Sequence, residues 1–148
     1  MMKNVMLVMT LLLSSTVWAA EYVPYGESLL AKFVAVKSVN EVAVEIETWP
    51  GMKRAVTVLL PNLDLPSASA QVPLCEQQLA IRGQRFSEDF LAKSGELKVQ
   101  HLVMKTTTDV SGKGDLVTGL GSLRDALIKE GLARPEGQAG QPWCHDAP

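Results

Sequence analysis

Apolar side chains return at every second position in three stretches of the first half of the chain, the spacing of strands with one buried face. Lys32, Val34 and Val36 alternate with Phe33 and Ala35, while Val42, Val44 and Ile46 share a face with Glu45 and Glu47 beside them. Val56, Val58 and Leu60 repeat the pattern. Between the second and third stretches lies TWPGMKR, whose Pro50-Gly51 pair marks a hairpin turn. The three segments predict an antiparallel meander.

The third stretch runs on as VLLPNLDLPSAS and contains one carboxylate, Asp64, just before Leu65-Pro66. An isolated acid there predicts a turn residue that accepts backbone hydrogens. A Pro- and Ser-rich connection then leads to a helix from about Cys75 to Lys93, with Leu79, Phe86, Phe90 and Leu91 mostly on one face and Gly95 as its stop. Leu97 to Val103 reads as a strand, KTTTDVSGKGD as a polar loop, and Leu116 to Leu120 as a short strand. Ser122, with Asp125 three residues on, resembles a capping box opening a helix Leu123 to Glu130 that Gly131 closes. Three strands, a helix, two strands and a helix predict an α+β, mainly β fold. The expected architecture is a five-stranded OB-type barrel with two or three helices.

The amino end changes the picture of where the chain works. Lys3 supplies a charged start, Val5 to Leu13 an apolar run, and Val17-Trp18-Ala19 a small-residue end suited to cleavage, so residues 1–19 read as a signal peptide. That run is too short to span a bilayer comfortably, which predicts a periplasmic or secreted protein with no stable membrane insertion after cleavage. Cleavage leaves about 129 residues, room for one core. Removing Lys3 moves the formal net charge from −2 to −3, so polyanion affinity needs local clustering of cations rather than an overall basic surface. Cys75 and Cys144 are the only cysteines, and an oxidising compartment makes a disulfide between them the expectation, worth roughly 4 kcal/mol through loop closure. Two free thiols are the alternative if their Cβ atoms sit apart.

VLLPNLDLP, CEQQLAIRGQRFSEDFL, DVSGK, SLRDALIKEGLARP and QPWC resemble, in content and order, segments of the thermonuclease family, whose type member is staphylococcal nuclease. The likeness covers roughly residues 28–144, leaving 20–27 as an N-terminal extension and 145–148 as a tail. It implies the same OB barrel. It also implies a site in which two aspartates hold calcium, a glutamate handles the attacking water and two arginines clamp the phosphate. At the corresponding positions this chain has Val42 for an aspartate, Leu59 for the first arginine, Asp64 retained, Ser67 for the glutamate and Lys113 for the second arginine. Calcium takes about six to eight oxygen ligands, which one retained aspartate does not supply. An arginine clamp is worth about 10³ to 10⁵ in phosphoryl-transfer rate, and Leu59 contributes none of it. Lys113 keeps charge without the planar fork.

The expectation is therefore a catalytically degenerate, exported nuclease-like module that binds or interacts, with no cofactor, nucleic acid or an envelope protein being the partners considered. The alternative is a calcium-dependent phosphodiesterase with an altered site built from Asp64, Glu41 and Lys113. Glu41, Glu45 and Glu47 read as a solvated strand face, and His101 and His145 as packed or exposed histidines rather than zinc ligands. Lys105 and Lys113 around the polar loop, and Arg82 and Arg85 on the first helix, are candidate contacts for a polyanion backbone. Trp49 is a candidate stacking platform, and Trp143 is expected to cover the disulfide. Ser67, Ser69 and Ser111 have no histidine and acid placed to activate them.

Overall fold

The computed structural model describes residues 23–138 and 140–144; the signal-peptide reading of residues 1–19, and His145 with the rest of the tail, lie outside them. Five strands build a closed barrel: β1 (Ser28–Ser38), β2 (Glu41–Trp49), β3 (Met52–Leu59), β4 (Leu97–Met104) and β5 (Ser111–Thr118). Helix α1 (Leu74–Lys93) joins β3 to β4, and α2 (Leu123–Lys129) follows β5. β1, β2 and β3 form the predicted meander, β4 returns antiparallel to β1, and β5 closes the ring between β4 and β3. The β3–β5 contact is parallel, pairing Thr57 with Ser111 and Leu59 with Lys113, so the barrel is mixed. This is the OB-type α+β architecture expected from the pattern of elements. Among the described residues no helix is long and apolar enough to cross a membrane.

The core follows from the alternation. Val42, Val44 and Ile46 of β2 and Val58 of β3 are fully buried, and Val99, Leu102, Met104 and Leu116 meet them from β4 and β5. Leu91 of α1 and Leu123 and Leu127 of α2 cover the barrel's open side. Each such side chain contributes about 1.5–3 kcal/mol on burial, which adds to the strand preference of Val and Ile in β2 and β3.

Two strands change face along their length. In β1 the inward set is Leu29, Ala31 and Phe33, then Val36, because the register with β2 shifts between Phe33 and Ala35. The expected single face of Lys32, Val34 and Val36 is thus corrected: Val34 is on the outside, and an extra residue at the bulge reverses the parity. In β4, Leu97 and Val99 point inward, and after His101 it is Leu102 and Met104 that do. His101 absorbs the shift with φ +52°, a left-handed conformation that non-glycine residues seldom adopt.

Strand β5 begins at Ser111, inside the segment expected to be a polar loop, rather than at Leu116. Gly112 and Gly114 hide the pattern because glycine carries no apolar signal, yet both are buried and alternate inward with Leu116. A Cβ on Gly112 would lie 2.6 Å from the Val103 carbonyl oxygen, and one on Gly114 3.1 Å from that of Gln100. Only glycine lets β5 approach β4 this closely.

Helix α1 starts one residue before the predicted Cys75 and buries a small-residue stripe, Ala80, Gly83 and Ser87, ending in Leu91. Leu79, Phe86 and Phe90, expected on the core face, are half-buried beside it. The reason is the β1–β2 turn: Val39 sits against Gly83, and the Ser87 hydroxyl donates to the Val39 carbonyl at 3.3 Å, leaving no space for larger side chains. Helix α2 is capped as expected, the Asp125 amide donating to Ser122 Oγ at 3.4 Å.

Substituting Gly112→Ala should cost about 1–3 kcal/mol in urea unfolding, because backbone at the seam must move. Gly119→Ala, where an added methyl meets nothing within 4 Å, should change stability by less than about 0.5 kcal/mol.

Candidate functional site

On the outer face of the barrel, the parallel register sets Leu59 of β3 directly beside Lys113 of β5, while Leu59 pairs on its other side with Glu41 of β2. The three residues form a row across three strands, with Glu41 and Lys113 about 10 Å apart at their Cα atoms from the ordinary strand spacing. Beside this row opens a cleft of about 420 Å³ lined by Leu59, Lys105, Asp109, Ser111, Gly112 and Lys113. A leucine therefore stands on the wall between an acid and a cation.

The cleft's far wall is the 105–110 loop, and Arg54 holds it. The guanidinium of this β3 residue donates to the Thr107 carbonyl at 2.6 Å, to the Tyr25 hydroxyl at 3.1 Å and to the Asp109 carbonyl. Asp109 Oδ2 accepts the Thr106 amide at 2.9 Å, closing the loop on itself, and the Thr57 amide donates to the Val110 carbonyl at 2.8 Å. The Asp109 carboxylate is engaged in its own turn. The sequence reading had not singled out Arg54; its place in a polar hairpin gave no sign of a loop about fifty residues on.

The remaining positions that the resemblance pointed to are scattered. Val42 is 0% exposed, inside the barrel among Val44 and Val58. The Ser67 amide donates to Glu76 Oε1 at 2.9 Å, and Ser67 Oγ accepts the Ser69 amide at 3.1 Å, so that residue organises the connection into α1. Between Asn40 and α1 lies a second depression, lined by Val39, Leu65, Pro66, Ala68, Ala80 and Ile81 with Ser38, Asn40 and Gln84, and it holds no carboxylate.

Asp64 has a partner that differs from the backbone amides expected. The Arg134 Nε donates to Asp64 Oδ2 at 3.0 Å and its Nη2 to the same oxygen at 2.5 Å. Both side chains are largely enclosed, 18% and 16% exposed. The pairing is framed by a short antiparallel ladder, Leu63 opposite Pro135 and Asp64 opposite Arg134. The acid fixes the segment after α2 to the end of the barrel wall. Arg134 lies within LARP, a stretch quoted for its likeness, but a residue seventy positions from its partner leaves no local signature.

The other candidates fall as follows. Glu45 pairs with Lys53 at 3.5 Å and Glu47 Oε1 accepts the Gly51 amide at 2.7 Å, which fits a solvated strand face. Trp49 is 71% exposed at the hairpin tip, away from the cleft's lining. Arg82 and Arg85 are exposed on α1. His101 Nδ1 lies 3.5 Å from Asp115 Oδ2, an acid that strand pairing brings near and sequence spacing did not reveal. Cys75 and Cys144 form the expected disulfide. Trp143 packs on Arg134, 3.8 Å from guanidinium carbon to ring centroid, a contact not foreseen.

Among the described residues no three His, Cys, Asp or Glu side chains come together as metal ligands. The donor set does not fit the calcium centre that the family resemblance implies: the position of one aspartate is an apolar core residue, and the other aspartate is bound to an arginine. The cleft is lined by two lysines, Ser111, the Leu59 wall and Asp109, whose carboxylate accepts the Thr106 amide. The chain matches no protein-family model and no curated protein.

A double-mutant cycle with Asp64→Asn and Arg134→Gln should return a coupling of about 1–3 kcal/mol in chemical unfolding. Calorimetry of the native protein and of Asp64→Ala should give the same calcium heats; micromolar binding lost in the variant would show the acid to be a ligand after all.

Proposed function

We propose that this protein is an exported, thermonuclease-like OB-fold module that has lost the nuclease reaction and acts by binding, working in the periplasm or outside the cell. The observation that carries the reading is the fate of the charges. Phosphodiester hydrolysis needs carboxylates, cations and a base converging on one phosphate. Here Asp64 is spent on Arg134, Val42 lies in the core, Leu59 occupies the cleft wall and Ser67 serves a loop.

Lys105 and Lys113 in the cleft favour an anionic ligand, and the exposed Trp49 favours a stacked or buried contact with a partner. An oligonucleotide, a glycan and an envelope protein are the ligand classes these features suit. The second reading, an altered phosphodiesterase, rests on Glu41 and Lys113 flanking one row of the barrel face.

The separating experiment incubates the purified protein with denatured DNA and calcium. The expected outcome is no cleavage above a chelator-treated control, and no difference between native protein and Lys113→Ala. Cleavage abolished both by chelator and by Lys113→Ala would replace the binding module with the enzyme.

A further inference from the structure

We infer that residues 140–144 form a strap latched by the Cys75–Cys144 disulfide, and that reducing this bond frees the strap while the barrel stays folded. The inference stands apart from the binding reading above. None of these five residues belongs to the core, and none lies in a strand or helix. Among the described residues their hydrogen bonds and ring contact lead to one side chain or to the adjacent turn: Arg134 Nη2 donates to the Gln141 carbonyl at 2.8 Å, Arg134 Nη1 to the Pro142 carbonyl at 3.5 Å, Trp143 covers the guanidinium, and the Gln141 amide donates to the Gln138 carbonyl at 3.4 Å.

Such contacts, at an exposed edge, do not offset the entropy of ordering five backbone units. The disulfide does, by tethering Cys144 to the first turn of α1. Helix α1 is held separately, through Gly83 and Ser87 against Val39, and the barrel closes through its own ladders. Losing the tether therefore removes the strap's direct support, while the barrel and α1 keep their own contacts and lose only the loop-closure contribution.

Cys75 is in an exposed position, within reach of a dithiol reductant. One thiolate of the reductant attacks Cys75 Sγ, and Cys144 leaves and takes up a proton. The reductant's second thiol then resolves the mixed disulfide, giving two cysteine thiols and an oxidised reductant. Release strips Arg134 of two carbonyl acceptors and its ring cover, leaving Asp64 as its partner. The redox state of one bond thus decides whether the Asp64–Arg134 pair is covered.

Hydrogen exchange followed by mass spectrometry tests this on the full mature chain, oxidised, reduced with dithiothreitol, and as Cys75→Ser/Cys144→Ser. The expected result is the amides of Gly140, Gln141, Trp143 and Cys144 exchanging at the rate of an unprotected peptide in the reduced and double-variant forms, with the amides of β1 to β5 still protected at least about a hundredfold over that rate and the circular dichroism retained. Unchanged protection of the strap after reduction overturns the proposal. So does loss of barrel protection to the same unprotected rate, or loss of the folded spectrum, since the barrel would then not stay folded without the bond.

Discussion

Closure of the barrel depends on how nearly β5 can approach β4. At Gly112 the Val103 carbonyl comes within the space a methyl group would need, and at Gly114 the Gln100 carbonyl does the same. With side chains at those positions β5 would stand off, and the parallel pairing of Thr57 with Ser111 and Leu59 with Lys113 would be lost. The His101 bulge on the facing strand serves the same closure, since it turns Leu102 and Met104 inward where β4 passes beneath β5.

The same seam creates the cleft. It is the β3–β5 register that sets Leu59 beside Lys113, and Arg54, extending from β3, that holds the loop before β5 as the opposite wall. The barrel face thus retains a geometry able to gather charge, while the residues on it supply little. Where opposite charges do meet at short range and low exposure, they join Asp64 to Arg134 and serve architecture. An ion pair at that position costs desolvation that its hydrogen bonds must offset, so its value lies in fixing where the segment after α2 attaches.

Legibility in the sequence divided along physical lines. β2 and the second half of β3 were plain because their alternation is strict and one face is buried, whereas Met52 to Ala55 of β3, exposed or half-buried, read as part of the turn; the α2 cap was plain because Ser122 and Asp125 lie within one turn. The five-stranded architecture could be read because it needs only the order of elements. The inward face of β1 was misread because a bulge reverses parity midway, and the start of β5 because its core positions are glycines. On α1 the large apolar residues marked the core-facing side but not its most buried stripe, since contact with Val39 selects small ones. At the site, replacements such as Leu59 were visible as letters. The Asp64–Arg134 pair and the Arg54 staple were not, because each joins segments whose proximity is a product of the whole fold.

The closing seam also governs when the molecule can fold at all. It joins Leu59 to Lys113, and the ring also needs β1 on β4 with Ser28 opposite Gln100, so most of the polypeptide must be synthesised before the ring can shut. The meander β1 to β3, whose pairings join neighbours in sequence, can form before that.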